Sequence, residues 1–336
     1  MRTTIIALLL AFAATTASAA PLLYETFEYT VGQNLSNQVN TGSGNQWLRP
    51  STPTGATHTI AAGDVPYTHL PVIPGSNSLN VPRPGSSANT YNRIDIPNRP
   101  YTRASGATLF YSFTMKITSF TNFAAVGADA KNDAAAKNAT HRKGGFVGGF
   151  HGGPASTSTG MASATGFAAP VHVRREIDYT QLGTDGTPGT QTGRWELGVL
   201  KHAAAPATAA ELETAFDMTQ SFGVNDTVFV VGQYDFVDAA AGGTNDMARL
   251  WINPTPGAPM GAATVTAPVT MTNMAGTLAM ESFFVHGNTN SPGGAQIDNI
   301  RVGLTYEDVT AAIPEPSSFA LIGMALALFG LNRCKR

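Results

Sequence analysis

The chain has 336 residues, of which only 12% are charged, and its formal net charge at pH 7 is −2. That composition offers no basic field to hold a nucleic-acid backbone, so nucleic-acid binding is excluded as a main role. The single cysteine, Cys334, lies among the last few residues. No disulfide can therefore staple the rest, thiol catalysis there is ruled out, and a hydrophobic core must hold the fold.

The first segment reads as an export signal. Arg2 supplies a minimal basic region, Ile5 to Ala14 an apolar stretch, and Ala17-Ser18-Ala19 a small-residue cleavage site. Together they predict a secretory signal peptide over residues 1–19, cut after Ala19 or Ala20. Residues 21–310 then form the expected folded body.

Strand signals follow in short runs broken by turn residues. Leu22 to Tyr29 alternates in its second half, placing Phe27 and Tyr29 on one face and Glu28 on the other. Residues 40–100 are rich in Pro, Gly, Ser, Thr and Asn, which predicts long ordered loops with little strand. Thr108 to Ile117 is the cleanest amphipathic strand, with Leu109, Tyr111, Phe113, Met115 and Ile117 on one face. Ala124 to Ala139, Ala-rich, reads as a surface excursion or short helix. Further strands are expected at Gly144–Phe150, Val171–Tyr179, Arg194–Leu200, Thr227–Phe236, Ala248–Ile252, Glu281–His286 and Ala295–Gly303. Only Ala207 to Phe216 has good helix formers.

About ten strands without alternating helices predict an all-β, antiparallel sandwich. The opening LLYETFEY, Gly44-Asn45-Gln46-Trp47, VFVVGQYDF over 228–236, the run 245–254 and the closing Gln296 to Gly303 resemble the concanavalin A-like sandwiches of the lectin and glucanase type. That resemblance implies a jelly roll in which the first and last strands pair, setting Tyr24–Tyr29 beside Ile297–Val302. Its motifs are structural, so it says little about activity.

Glu176-Ile177-Asp178-Tyr179-Thr180-Gln181 is the sharpest enzymatic lead. Laminarinase-type glycoside hydrolases on this sandwich carry a nucleophilic Glu, a tuning Asp and a second acid/base Glu along one strand. Retaining hydrolysis needs two carboxyl groups about 5–5.5 Å apart. Glu176 and Asp178 fit the first two roles, but Thr180 and Gln181 stand where the proton donor should be, and neither can deliver a proton. The sequence therefore predicts no enzyme, with Arg174 and Arg175 pairing to Glu176 and Asp178. A remnant sugar contact at Glu176 and Asp178 stays open.

Asp235, Asp238, Asn245 and Asp246 cluster between two strong strands and are the candidate ligands of a Ca²⁺ ion, a hard cation that favours oxygen donors. Their spacing matches no standard calcium loop, and Asp and Asn are also common turn residues. Asp298 is expected to face the same region, or, in a half-buried strand, to cap or to pair with Arg301. The histidines (His58, His69, His141, His151, His172, His202, His286) show no zinc spacing. The glycine-rich run 144–153 lacks a phosphate-loop pattern and points to close strand packing. Among the tryptophans, Trp251 belongs to a strand core, and Trp47, in a loop stretch, is the candidate for stacking on a sugar ring.

The C-terminal stretch declares a destination. Pro314-Glu315-Pro316 precede an apolar run from Phe319 to Leu331, and Arg333, Lys335 and Arg336 follow it. The run makes a helix of roughly 20 Å against a hydrocarbon core of about 30 Å. Starting at Ser317 and snorkelling Arg333 and Lys335 extends it to a minimal transmembrane helix over 317–332. The cations fix that end in the cytoplasm, and the prolines keep the junction extended.

This order of parts, over 313–336, resembles the PEP-CTERM sorting signal. The resemblance implies a transient inner-membrane anchor and an exosortase-type transpeptidase that cuts it. It also implies release to the cell surface or matrix of a Gram-negative, exopolysaccharide-forming host. The expectation is an exported, non-enzymatic surface or matrix protein that binds polysaccharide. A laminarinase-like hydrolase and a purely structural envelope component are the alternatives.

Overall fold

The computed structural model describes residues 20–49, 57–70, 73, 75–82, 90–120, 144–156, 166–176, 193–204, 208–237, 243–274, 279–287, 292 and 294–311. The signal segment, Ala124–Ala139, Asp178, Asp238 and the sorting region 313–336 lie outside them. Among the described residues no helix is long and apolar enough to cross a membrane.

The strands are β1 (Leu23–Glu25), β2 (Thr59–Ala61), β3 (Ser78–Pro82), β4 (Thr90–Asp95), β5 (Thr108–Ser119), β6 (Gly145–His151), β7 (Phe167–Arg175), β8 (Trp195–Val199), β9 (Val228–Asp235), β10 (Met247–Ile252), β11 (Val265–Thr266), β12 (Ser282–Gly287) and β13 (Gly294–Gly303). The described residues also include two short α-helices, α1 (Ala209–Thr214) and α2 (Tyr306–Thr310), and a 3-10 turn at Arg103–Ser105. The larger, eight-stranded sheet runs β11-β10-β9-β5-β13-β3-β2, with β1 also paired to β13; the smaller, five-stranded sheet runs β4-β12-β6-β7-β8. Their pairings are antiparallel throughout, for example Tyr111 opposite Gly232 and Phe284 opposite Gly149.

The two sheets pack face to face. Leu109, Tyr111, Phe113, Met115 and Ile117, all buried, point from β5 towards the smaller sheet, as their alternation predicts. Tyr111 meets Phe150 edge-on at 5.1 Å and Phe283 at 5.6 Å between ring centroids, and its hydroxyl donates to the Ala169 carbonyl. Ring contacts of this geometry add to the burial of apolar area that drives the packing.

The other face of β5 is closed as well. Phe110, Phe229, Val231 and Trp251 form a second apolar cluster with Tyr306 and Val309 of α2. The Ser112 hydroxyl donates to the Val309 carbonyl at 2.7 Å. Helix α2 starts in a reciprocal cap between Thr305 and Asp308, which satisfies its first free N–H groups.

Several expectations are corrected. Residues 40–100 carry three strands, β2 to β4, one of which forms an edge of the smaller sheet. The first strand ends at Glu25, because Phe27 takes a positive φ of 53° and leaves the ladder. Phe27 is nevertheless buried and Glu28 exposed, as the alternation implies. Strand β7 begins at Phe167, ahead of the expected Val171, and stops at Arg175. The pairing of the first and last strands is present, with Leu23 opposite Val302 and Glu25 opposite Ile300.

Candidate binding face of the smaller sheet

In β12, Phe283 and Val285 join the core between the sheets, so Phe284 and His286 project outward. The same alternation turns Phe146 of β6, His172 of β7, and Tyr91 and Arg93 of β4 to that outer face. Glycines make this close assembly possible. A Cβ on Gly149 would sit 2.9 Å from the Ala169 carbonyl oxygen, and one on Gly144 2.0 Å from that of Val173. The glycine-rich run is therefore a packing device, as expected.

The rings on this face form a stack. Phe146 and His286 lie nearly parallel at 4.0 Å and 6°, and His286 lies nearly parallel to Tyr91 at 5.9 Å and 13°. Phe284 and Phe167 pack edge-on behind them at 4.9 Å, and His172 meets Phe146 at 5.5 Å. His286 Nδ1 and the Phe146 carbonyl oxygen, 3.1 Å apart, fix the imidazole in the stack. Phe284, His286 and His172 are buried, whereas Tyr91, on the edge strand, is only half-buried. The stack thus runs from an enclosed floor to an accessible ring at the sheet edge.

Polar groups flank it. The Arg93 guanidinium contacts His151 Nδ1 and is lowered by burial to about 10. In the turn after β4, Arg99 bridges Asp95, the last residue of the strand, at 2.7 Å and Glu281 at 2.9 Å. On the far side Arg174 pairs with Glu196 at 2.9 Å and Glu213 at 2.8 Å and lies 4.0 Å over the Phe216 ring.

The residues singled out in the sequence are placed elsewhere. Trp47 is fully buried, and its Nε1 donates to Glu25 Oε2 at 2.7 Å. It presents no ring face to a sugar, because the buried indole N–H requires an internal acceptor. Glu176 directly follows β7, its backbone N–H bonded to the Arg194 carbonyl at 3.0 Å. Arg174 pairs with Glu196, which stands directly across the strand pair. Arg175 lies over Phe120 at 5.3 Å.

Of the expected calcium ligands, Asp235, Asn245 and Asp246 fall among the described residues and have these partners. Asp235 accepts from Thr108 Oγ1 at 2.6 Å. Asp246 is buried and accepts from Arg103 at 2.6 Å and the Tyr234 hydroxyl at 2.9 Å. Asn245 Oδ1 accepts from Asn273 at 3.2 Å. Among the described residues no group of three or more His, Cys, Asp or Glu side chains is arranged to hold a metal ion. Asp298 caps the backbone N–H groups of Val65 and Asn299 rather than pairing with Arg301, and burial pushes its carboxyl up to about 8.

Sequence reasoning missed the ring stack. The alternation within SFFVHG is the signal that puts Phe284 and His286 on one face, whereas register shifts in β6 interrupt the alternation of GFVGGFH and hide Phe146.

No protein-family model and no curated protein matches the chain. Among solved structures, the alginate lyase Aly36B is similar at 13% identity and a TM-score of 0.42, over 85% of this chain and 98% of that one. The carbohydrate recognition domain of Emp46p is similar at 9% identity and a TM-score of 0.34, over 83% of this chain and 96% of that one. A GH43 glycoside hydrolase is similar at 10% identity and a TM-score of 0.36, over 87% of this chain and 42% of that one. Likeness at this level transfers no residue role to this chain.

Proposed function

We propose that the protein is an exported, non-enzymatic surface or matrix component that binds polysaccharide along the β4 edge of the smaller sheet. The observation that carries this reading is the graded stack Phe146–His286–Tyr91, which ends in a half-buried tyrosine. A ring held from behind by two parallel rings loses little freedom when a sugar face settles on it, so binding costs less ordering entropy. Arg99 with Asp95 and Glu281 supplies hydrogen-bonding groups on the same edge for sugar hydroxyls. On the opposite sheet, the outer side chains Phe110, Phe229, Val231 and Trp251 are covered by α2 and its apolar cluster.

The concanavalin A-like likeness of the sequence fits this use. So does the layout at 313–336, whose resemblance to a sorting signal implies an inner-membrane anchor, an exosortase-type enzyme and finally the cell surface or matrix. A non-enzymatic role follows from Thr180 and Gln181, which stand where a hydrolase on this sandwich needs its proton donor. Calcium is not required in this reading, because the Asp246 carboxylate is already held by Arg103.

The test is retention of the full chain on a panel of insoluble and matrix polysaccharides, with and without EDTA, and with assay of released reducing ends. Retention on one polymer class, unchanged by EDTA and without release of ends, supports the reading. No retention on any polymer overturns it in favour of a structural role, and released ends overturn it in favour of a hydrolase.

A further inference from the structure

Lys201 follows β8 and is almost fully buried. Its Nζ donates to the carbonyl oxygens of Val269 and Met271, each at 3.1 Å, and to that of Thr244. All three ammonium protons therefore have acceptors, and every acceptor is a neutral backbone carbonyl. The carbonyls come from two separate loops, one leading into β10 and one leaving β11. The ammonium is the charge that lets them converge, since three carbonyl dipoles pointing at one spot repel each other without a cation between them.

We propose that Thr244, Val269 and Met271 form a cation cage that the chain fills with its own tethered ammonium, and that the emptied cage takes a monovalent metal ion. Rings of neutral carbonyl oxygens suit a potassium-like ion, whereas a divalent ion favours carboxylates. Asp246, the buried carboxylate whose charge acts on this ammonium, has its oxygens engaged by Arg103 and Tyr234. This inference stands apart from the polysaccharide reading, since it concerns the loops and not the ring stack.

The experiment compares thermal unfolding of the full chain and two variants in potassium, sodium and choline chloride at equal ionic strength, and in CaCl₂ against EDTA. The natural protein is expected to be indifferent to all of these. Lys201→Ala leaves room at the cage and is expected to melt lower in choline and to recover in potassium or sodium. The recovery is about 2–4 °C, the shift produced by a site filled roughly five-fold above its dissociation constant. Lys201→Met fills the space with an apolar chain and is expected to melt lower whatever the cation. Equal melting of Lys201→Ala in all salts, failure of that variant to fold in any of them, or a cation response of the natural protein overturns the proposal.

Discussion

The indole Nε1 of Trp47 donates to Glu25 Oε2 at 2.7 Å, across an interval of 22 residues. The same carboxylate accepts from the Tyr29 hydroxyl at 2.7 Å, the Phe27 N–H at 2.7 Å and Asn40 Nδ2 at 3.2 Å. Glu25 is buried, and these four donors occupy both of its carboxyl oxygens. It ties the end of β1 to the loop that follows and, through Ile300, to β13.

Glu25→Ala is expected to leave several buried donors without an acceptor and to cost about 3 kcal/mol or more. Trp47→Phe removes one donor and keeps most of the ring, at a cost of about 1.5–3 kcal/mol. Urea unfolding checks both, and the larger loss is expected for the glutamate.

Gly232→Ala is expected to destabilise by about 3 kcal/mol, because overpacking a close-fitted core forces side chains off their rotamers. An added Cβ would lie 2.0 Å from Cζ of Tyr111, directly across the β5–β9 pair. Tyr111 cannot swing aside without losing Phe150, Phe283 and the Ala169 carbonyl. Unfolding of the variant against the natural protein measures the effect.

The fold was legible where the period was clean and opaque where partners decide. Five alternating apolar residues announced β5, and its place at the centre of a sheet follows. Strands β2 to β4 were hidden because turn-forming residues surround them and each is short, so pairing with β3, β12 and β13 makes them strands. Trp47 was misplaced because its loop setting suggested exposure, while its partner Glu25 lies far away in sequence. The ring stack combines residues from β4, β6, β7 and β12, and only the strand order brings Tyr91, His286 and Phe146 into line.

Arg174 anchors the far side of that face through a buried ion pair. Glu196→Ala is expected to cost about 3–5 kcal/mol, since it leaves a buried guanidinium without its main counter-charge. Glu213 is partly exposed, and Glu213→Ala is expected to cost about 1 kcal/mol or less. Denaturant midpoints of the two variants provide the comparison.

Asp298 and His58 give stability opposite pH slopes. Burial raises the Asp298 carboxyl to about 8 in the folded state, so its contribution is full below the unfolded value near 4 and is lost as pH rises to 8. Burial lowers His58 to about 4, so its contribution is full above the unfolded value near 6.5 and is lost as pH falls to 4. Between about 6.5 and 8 the aspartate acts alone of the two, at up to about 1.4 kcal/mol per pH unit. Stability is expected to fall across that window in the natural protein and to stay flatter in Asp298→Asn, as read by urea unfolding at successive pH values.

The most direct test of the binding face is the retention of Tyr91→Ala on whichever polysaccharide holds the natural protein. Tyr91 is half-buried on an edge strand, so the variant is expected to fold, with an unchanged unfolding midpoint within about 1 kcal/mol. The account predicts a loss of binding of roughly ten-fold or more, the equivalent of about 1.4 kcal/mol of stacking. Undiminished retention by a folded Tyr91→Ala would contradict it and move the binding surface away from the smaller sheet.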